Sequence, residues 1–136
     1  MLTEAAKQAL DRILAAEYSL LESYERIVAE EGDPLFAEQH KLCQEMTAEL
    51  SEFLSKNGSS PRQTSGVIGI VFRLGDAMAT PEGEVLSLTR QIKLAIEEKY
   101  RLLSKLPPEA LAIVERHLGQ ERQMLLDLEQ MASAKV

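Results

Sequence analysis

Cysteine, histidine and aromatic side chains are all scarce in this 136-residue chain, and each shortage closes off a class of protein. The single cysteine, Cys43, cannot make an internal disulfide, which excludes a disulfide scaffold and fits a reducing compartment. Two histidines, His40 and His117, are too few for a histidine-rich metal bundle. The longest apolar run, "VIGIVF" from Val67 to Phe72, is far too short to span a bilayer. The opening "MLTEAAKQ" has an early acid and no apolar stretch of the kind a secretory signal needs. Basic residues are outnumbered, 15 Lys and Arg against 22 Asp and Glu, giving a formal charge of -7 that argues against a nucleic-acid partner. No Gly-x-Gly-x-x-Gly, P-loop, nucleophile elbow or Cys-x-x-Cys is present. A cytoplasmic protein that engages neither membrane nor nucleic acid is the expectation.

What is abundant is helix-forming. The chain has no Trp, 45% hydrophobic residues and many Ala, Leu, Glu, Gln, Lys and Arg, and it is long enough for one domain, 1–136, to bury a core unaided. Apolar residues recur at three-and-four spacing at Ala6, Leu10, Ile13, Leu14, Leu21, Tyr24 and Val28, which predicts a first helix over about 3–30, ended by Gly32, Asp33 and Pro34. Asp33 and Pro34 are a cap and first-turn pair for a second helix, about 34–56, stopped by Asn57 and Gly58. Its inward face reads Leu35, Leu42, Cys43, Met46, Leu50, Phe53 and Leu54. After the turn-rich "NGSSPRQTSG", residues 67–79 read as a short helix, with a buried strand as the alternative because Gly69 and Gly75 interrupt the pattern. Thr80 and Pro81 open a third long helix with Val85, Leu88, Ile92, Ala95, Leu102 and Leu103, running to about Lys105. Pro107 and Pro108 open the last, whose seam is Leu111, Val114, Leu118, Leu125 and Leu128. Four long helices and one long link, 58–80, predict an all-α four-helix bundle with a crossover between its second and third helices.

Two carboxylates break the apolar seams. At 100 degrees per residue, Glu17 falls inside the arc of Leu10, Ile13, Leu14, Leu21 and Tyr24, and Glu121 falls among Val114, Leu118, Leu125 and Leu128, with His117 on the flank. A buried carboxylate must be neutralised, paired or bound to a cation. One solution is a metal held between helices. The other is a protonated carboxyl or a salt bridge, for which Lys99, between Ala95 and Leu102 in the third seam, is the candidate partner.

The stretch "LAAEYSLLESY" carries a resemblance. Tyr24 follows Glu17 by seven residues, the Glu-then-Tyr spacing of the first helix of bacterioferritins. The order helix, helix, long crossover, helix, helix is similar to that of the ferritin-like superfamily of bacterioferritins and rubrerythrins, and to small bacterial ferritin-like families with no assigned activity. The likeness covers nearly the whole chain. It implies iron or another transition metal between the helices, with Glu-x-x-His on the second and fourth. Carried over, "ERQM" matches the carboxylate with Glu121 and sets Met124 where histidine would be. On the second helix "CQEM" sets Cys43 and Met46 at the pair positions, and the third-helix carboxylate falls near Gln91, a weak neutral ligand. The implied metal-site residues are therefore Glu17, Glu121, His117, Met124, Met46 and Gln91, a degenerate di-iron site. Two glutamates are too few to hold two bridging irons, which argues against ferroxidase chemistry.

Other pairs have a bland reading beside a functional one. His117 and Glu121, one turn apart, could chelate a cation, and His40 with Cys43 could do so for zinc, although such pairs are by default flanking residues. Cys43, Met46 and Met124 would suit Cu(I) if they converged, or fill the core. "VIGIVF" is either an interface or buried within its own chain. The expected function is a ferritin-like bundle of eroded metal site, no resident cofactor and no oxidase activity, acting as a homo-oligomer (a dimer) or through an unidentified protein partner. The alternatives are a bundle that holds iron or another transition metal on Glu17 and Glu121, with His117, for redox or detoxification chemistry, and a core cleft for an apolar small molecule.

Overall fold

Helix ends fall where cap chemistry puts them. A computed structural model of the chain describes residues 2–28, 33–73 and 81–134. Helix α1 (Glu4–Val28) opens at Thr3, whose Oγ1 accepts from the Ala6 amide at 3.1 Å. Helix α2 (Pro34–Lys56) opens at Asp33, whose carboxylate accepts from the Leu35 amide at 2.9 Å. At its far end the Gly58 and Ser59 amides donate back to the Ser55 and Leu54 carbonyls, a Schellman closure that holds Gly58 at a φ of 82°. Helices α3 (Gly66–Arg73), α4 (Pro81–Leu102) and α5 (Pro108–Ala134) follow, with Leu103–Lys105 forming a single 3-10 turn that narrows the expected end of α4. Among the described residues there is no strand, so the strand alternative for 67–79 gives way to helix over 66–73; the rest of that stretch, the Gly32 stop and the Thr80 cap lie outside the described residues.

Helix α1 is the central element, packed along α2 and α4, while α5 closes against α4 and α2 and α3 lies on α1. Of its predicted face Ala6, Leu10, Ile13, Leu14, Leu21 and Tyr24 are buried, but so are Ala15, Ala16 and Leu20, because further helices cover a side that the isolated wheel gives to solvent. On α2, Cys43, Met46, Leu50 and Leu54 are buried as expected, Phe36 joins them, and Leu35, Leu42 and Phe53 are half-buried at the edge. The apolar core is divided in two. One cluster holds Leu10, Leu14, Leu50, Leu102, Val114 and Leu118; the other holds Leu21, Tyr24, Met46, Ala95, Met124 and Leu128. Between them, Leu14 and Leu21 bracket Glu17, Ala95 and Leu102 bracket Lys99, and Leu118 and Met124 bracket Glu121. The charged residues therefore form a layer across the bundle.

The crossover is pinned to α1 by two polar clamps. Arg62 Nε donates to Asp11 Oδ1 at 3.1 Å, and Glu22 accepts from both the amide (3.1 Å) and hydroxyl (2.5 Å) of Ser65 at the entrance to α3. "VIGIVF" is split between the two expectations: Ile68 and Phe72 are half-buried and Gly69 buried, while Val67, Ile70 and Val71 are 74%, 60% and 54% exposed. No helix among the described residues is long and apolar enough to cross a membrane.

The φ of Gly58 lies in the left-handed region, and a Cβ there would meet nothing within 4 Å. Gly58→Ala should therefore destabilise by the backbone term alone, about 1 kcal/mol, read as a lower urea midpoint at unchanged slope.

Candidate functional site: a buried ladder of charge

The seam glutamates meet a lysine. Lys99 of α4 is fully buried, with its ammonium 2.8 Å from Glu121 Oε1 of α5 and 3.3 Å from Glu17 Oε1 of α1. The ladder continues from Glu17. His117 Nδ1 lies 2.8 Å from the same Glu17 oxygen, and His117 Nε2 lies 2.7 Å from Glu49 Oε1 of α2. Glu49, at the rim, takes both terminal nitrogens of Arg116 at 2.7 and 2.6 Å. Three cations, Arg116, His117 and Lys99, thus alternate with three anions, Glu49, Glu17 and Glu121, from the surface to the centre. The contacts of Lys99 are ion-pair distances out of line for hydrogen bonds. Among the described residues, Glu17 Oε2 and both oxygens of Glu121 make no hydrogen bond.

The protonation states follow from this order. A neutral imidazole has one donor nitrogen and one acceptor, so placed between two carboxylates it would oppose a lone pair to an oxygen. Both nitrogens can donate only in the imidazolium. Burial works against that charge, but Glu17 and then Glu49 outweigh it, and the His117 pKa rises above its ordinary value. Lys99 follows the same pattern: burial would discharge it, while Glu121 and Glu17 hold its proton on and raise its pKa. Burial lifts the Glu121 carboxyl, Lys99 pulls it down and Glu17 pushes it up, for a net rise. The Arg116 hydrogen bonds take the Glu49 carboxyl down to about 2, with burial opposing and His117 assisting.

Neutral groups brace the layer. Tyr24, whose phenol burial raises further above its ordinary pKa, donates to Gln39 Oε1, and Gln39 Nε2 donates to the Met124 carbonyl at 3.0 Å. Burial likewise lifts the pKa of the Cys43 thiol, with Glu121 and Glu17 adding to it. Of the residues singled out in the sequence, Glu17, Glu121 and His117 come together as neighbours of Lys99. Met46 and Met124 are buried in one apolar cluster. Gln91 is turned elsewhere, accepting from Ser19 at 3.3 Å and donating to the Phe72 carbonyl at 2.8 Å. Helix α2, which the wheel leaves without an inward acid, supplies Glu49 from its edge. A carboxylate on a half-buried edge, facing an Arg-His pair, is the signal that would have marked it.

A di-iron centre does not fit this donor set. Lys99 stands at ion-pair distance from both seam carboxylates, both nitrogens of His117 face carboxylates, and Gln91 is engaged by Ser19 and Phe72. Among the described residues no group of three His, Cys, Asp or Glu side chains is placed to hold a metal ion. His40 is half-buried with Nε2 unbonded, and Cys43 is buried.

No protein-family model and no curated protein matches the sequence. Solved structures do. A conserved hypothetical protein of Mycobacterium tuberculosis aligns with a TM-score of 0.81 over 96% of this chain and 92% of its own, at 16% identity. A mutant of Mycobacterium smegmatis Dps1 aligns at 0.79 over 96% and 99%, at 18% identity. A ferritin-like, diiron-carboxylate protein of Bacillus anthracis str. Ames aligns at 0.76 over 96% and 99%, at 16% identity. The fold is ferritin-like. At such identities the likeness concerns backbone architecture alone.

Removing the ammonium should leave two buried acids facing one another, so Lys99→Met should destabilise by roughly 3–5 kcal/mol in urea denaturation. Adding Glu17→Gln and Glu121→Gln should recover most of that loss. The raised pKa of His117 fixes the sign of a pH effect. Its stabilisation is complete below the unfolded value of 6.5 and is lost as pH rises through the folded value, so the urea midpoint should fall on the alkaline side and stay flatter in His117→Gln. Glu49 acts oppositely: its depressed pKa gives stability that is present above 4.5 and lost as pH falls toward 2.

Proposed function

We propose that this ferritin-like bundle works by pairing with a second copy of itself, and that it does not oxidise iron. The observation that supports the second half is the position of Lys99: a cation already lies between the carboxylates that would have to bind metal. The alternative of an iron or other transition-metal centre on Glu17 and Glu121 would require that ammonium to leave. The apolar-ligand alternative would place its ligand in one of two grooves among the described residues. A groove of about 470 Å³ runs beside Lys7, Asp11, Arg12 and Pro61, and another of about 290 Å³ lies beside Leu2, Phe53 and Pro107; no residue of the ladder lines either.

Pairing is supported by α3. Val67, Ile70 and Val71 are spaced to share one helix face, each more than half exposed, on a helix with no acid in its first turn. Two such faces brought together bury branched apolar surface on both sides, the self-complementary arrangement of a two-fold dimer. The chain's charge of -7 limits indiscriminate association elsewhere.

Sedimentation at micromolar concentration should give a dimer, and Ile70→Asp should give a monomer of nearly unchanged stability. A wild-type protein that sediments only as monomer would remove the α3 pairing. Oxygen-dependent oxidation of Fe(II) should not exceed the buffer rate, and sustained turnover would refute the second half of the reading.

A further inference from the structure

We infer that Lys99 is the resident cation of this bundle: its ammonium takes the place of a divalent ion between Glu17 and Glu121, keeps metal out of the native protein, and is the one group whose removal makes the pocket bind one. The inference rests on the reading above that Lys99 occupies the carboxylate pair; it concerns the core and stands apart from pairing through α3.

Three oxygens make the case. Glu121 Oε1 and Oε2 and Glu17 Oε2 are buried and make no hydrogen bond among the described residues, although polar atoms enclosed in this way are usually satisfied. The charge of the two carboxylates is compensated by the ammonium beside them, 2.8 Å from Glu121 Oε1 and 3.3 Å from Glu17 Oε1. Because that contact is electrostatic and not directional, a small cation in the same place would serve the same two carboxylates. Glu17 could bind it through Oε2 while Oε1 stays fixed by His117 Nδ1, and His117 is itself fixed through Nε2 by Glu49. That is the outer support that orients a metal-binding carboxylate, and it already exists in the native chain. An all-carboxylate pair completed by water suits a hard divalent ion, and Mn2+ is the fitting probe.

Native protein keeps Mn2+ out because the ammonium and the ion compete for one space. Truncation to alanine removes the charge and opens room for an ion with its water, whereas methionine would refill the space with an apolar chain.

The test compares wild type, Lys99→Ala and Lys99→Ala/Glu121→Gln, each stripped with chelator and titrated with Mn2+. Bound metal is read from loss of the free-ion paramagnetic resonance signal, and stability from the melting temperature. Lys99→Ala should take up one equivalent and gain about 10 °C with Mn2+ at roughly 100 times its dissociation constant. Wild type and the double variant should do neither. If Lys99→Ala is unfolded when stripped, recovery of its helical circular dichroism by Mn2+ is the expected result. Stoichiometric uptake by wild type, an equal response in the double variant, or a Lys99→Ala protein that Mn2+ neither binds nor restores would each overturn the inference.

Discussion

The contact between the Lys99 ammonium and the two seam carboxylates is the constraint around which this bundle is arranged. A glutamate in an apolar seam is tolerable only with a counter-charge, and a buried counter-charge is tolerable only if it too is surrounded. Each requirement recruits the next helix. Glu17 on α1 needs Lys99 on α4; Lys99 needs Glu121 on α5; Glu17 also faces His117, which needs Glu49 on α2. All four long helices contribute, so the polar layer fixes their relative rotation in a way that the interchangeable aliphatic contacts above and below it do not. Buried polar groups trade stability for uniqueness in some proteins, and the position of this layer between two apolar clusters fits that role.

The fold and the interior charge depend on different residues. The backbone is set by aliphatic seams, caps and the crossover, all of which tolerate wide change in sequence; the TM-scores near 0.8 at 16–18% identity reflect this. The interior charge balance rests on a few side chains. A change in those few side chains can alter the interior charge while leaving the helices where they are.

Much of this was legible in the chain alone. The bounds of α2 follow from Asp33, Pro34, Asn57 and Gly58, since caps act through neighbouring atoms and need no tertiary context. The inward aim of Glu17, Lys99 and Glu121 follows from periodicity, and once all three are inward their pairing is almost forced. Glu49 escaped because a wheel treats each helix as an isolated cylinder, while a glutamate on a half-buried edge can reach across to the next helix, where it meets His117. The burial of Ala15, Ala16 and Leu20 escaped for a related reason: which sides of α1 are covered depends on where its neighbours lie, a long-range fact. The mixed character of "VIGIVF" is of the same kind, since in eight residues of helix the pattern is too short to say which face docks.

The ladder's alternation also bears on how such a site can change over generations. Each charge leans on neighbours of opposite sign, so altering any one of them strands at least one other, and the effects of two changes within it will not sum. The aliphatic positions can drift one at a time through volume-conserving exchanges. The six charged positions are tied to one another, so that an exchange at one is tolerated mainly with a compensating exchange at its neighbour.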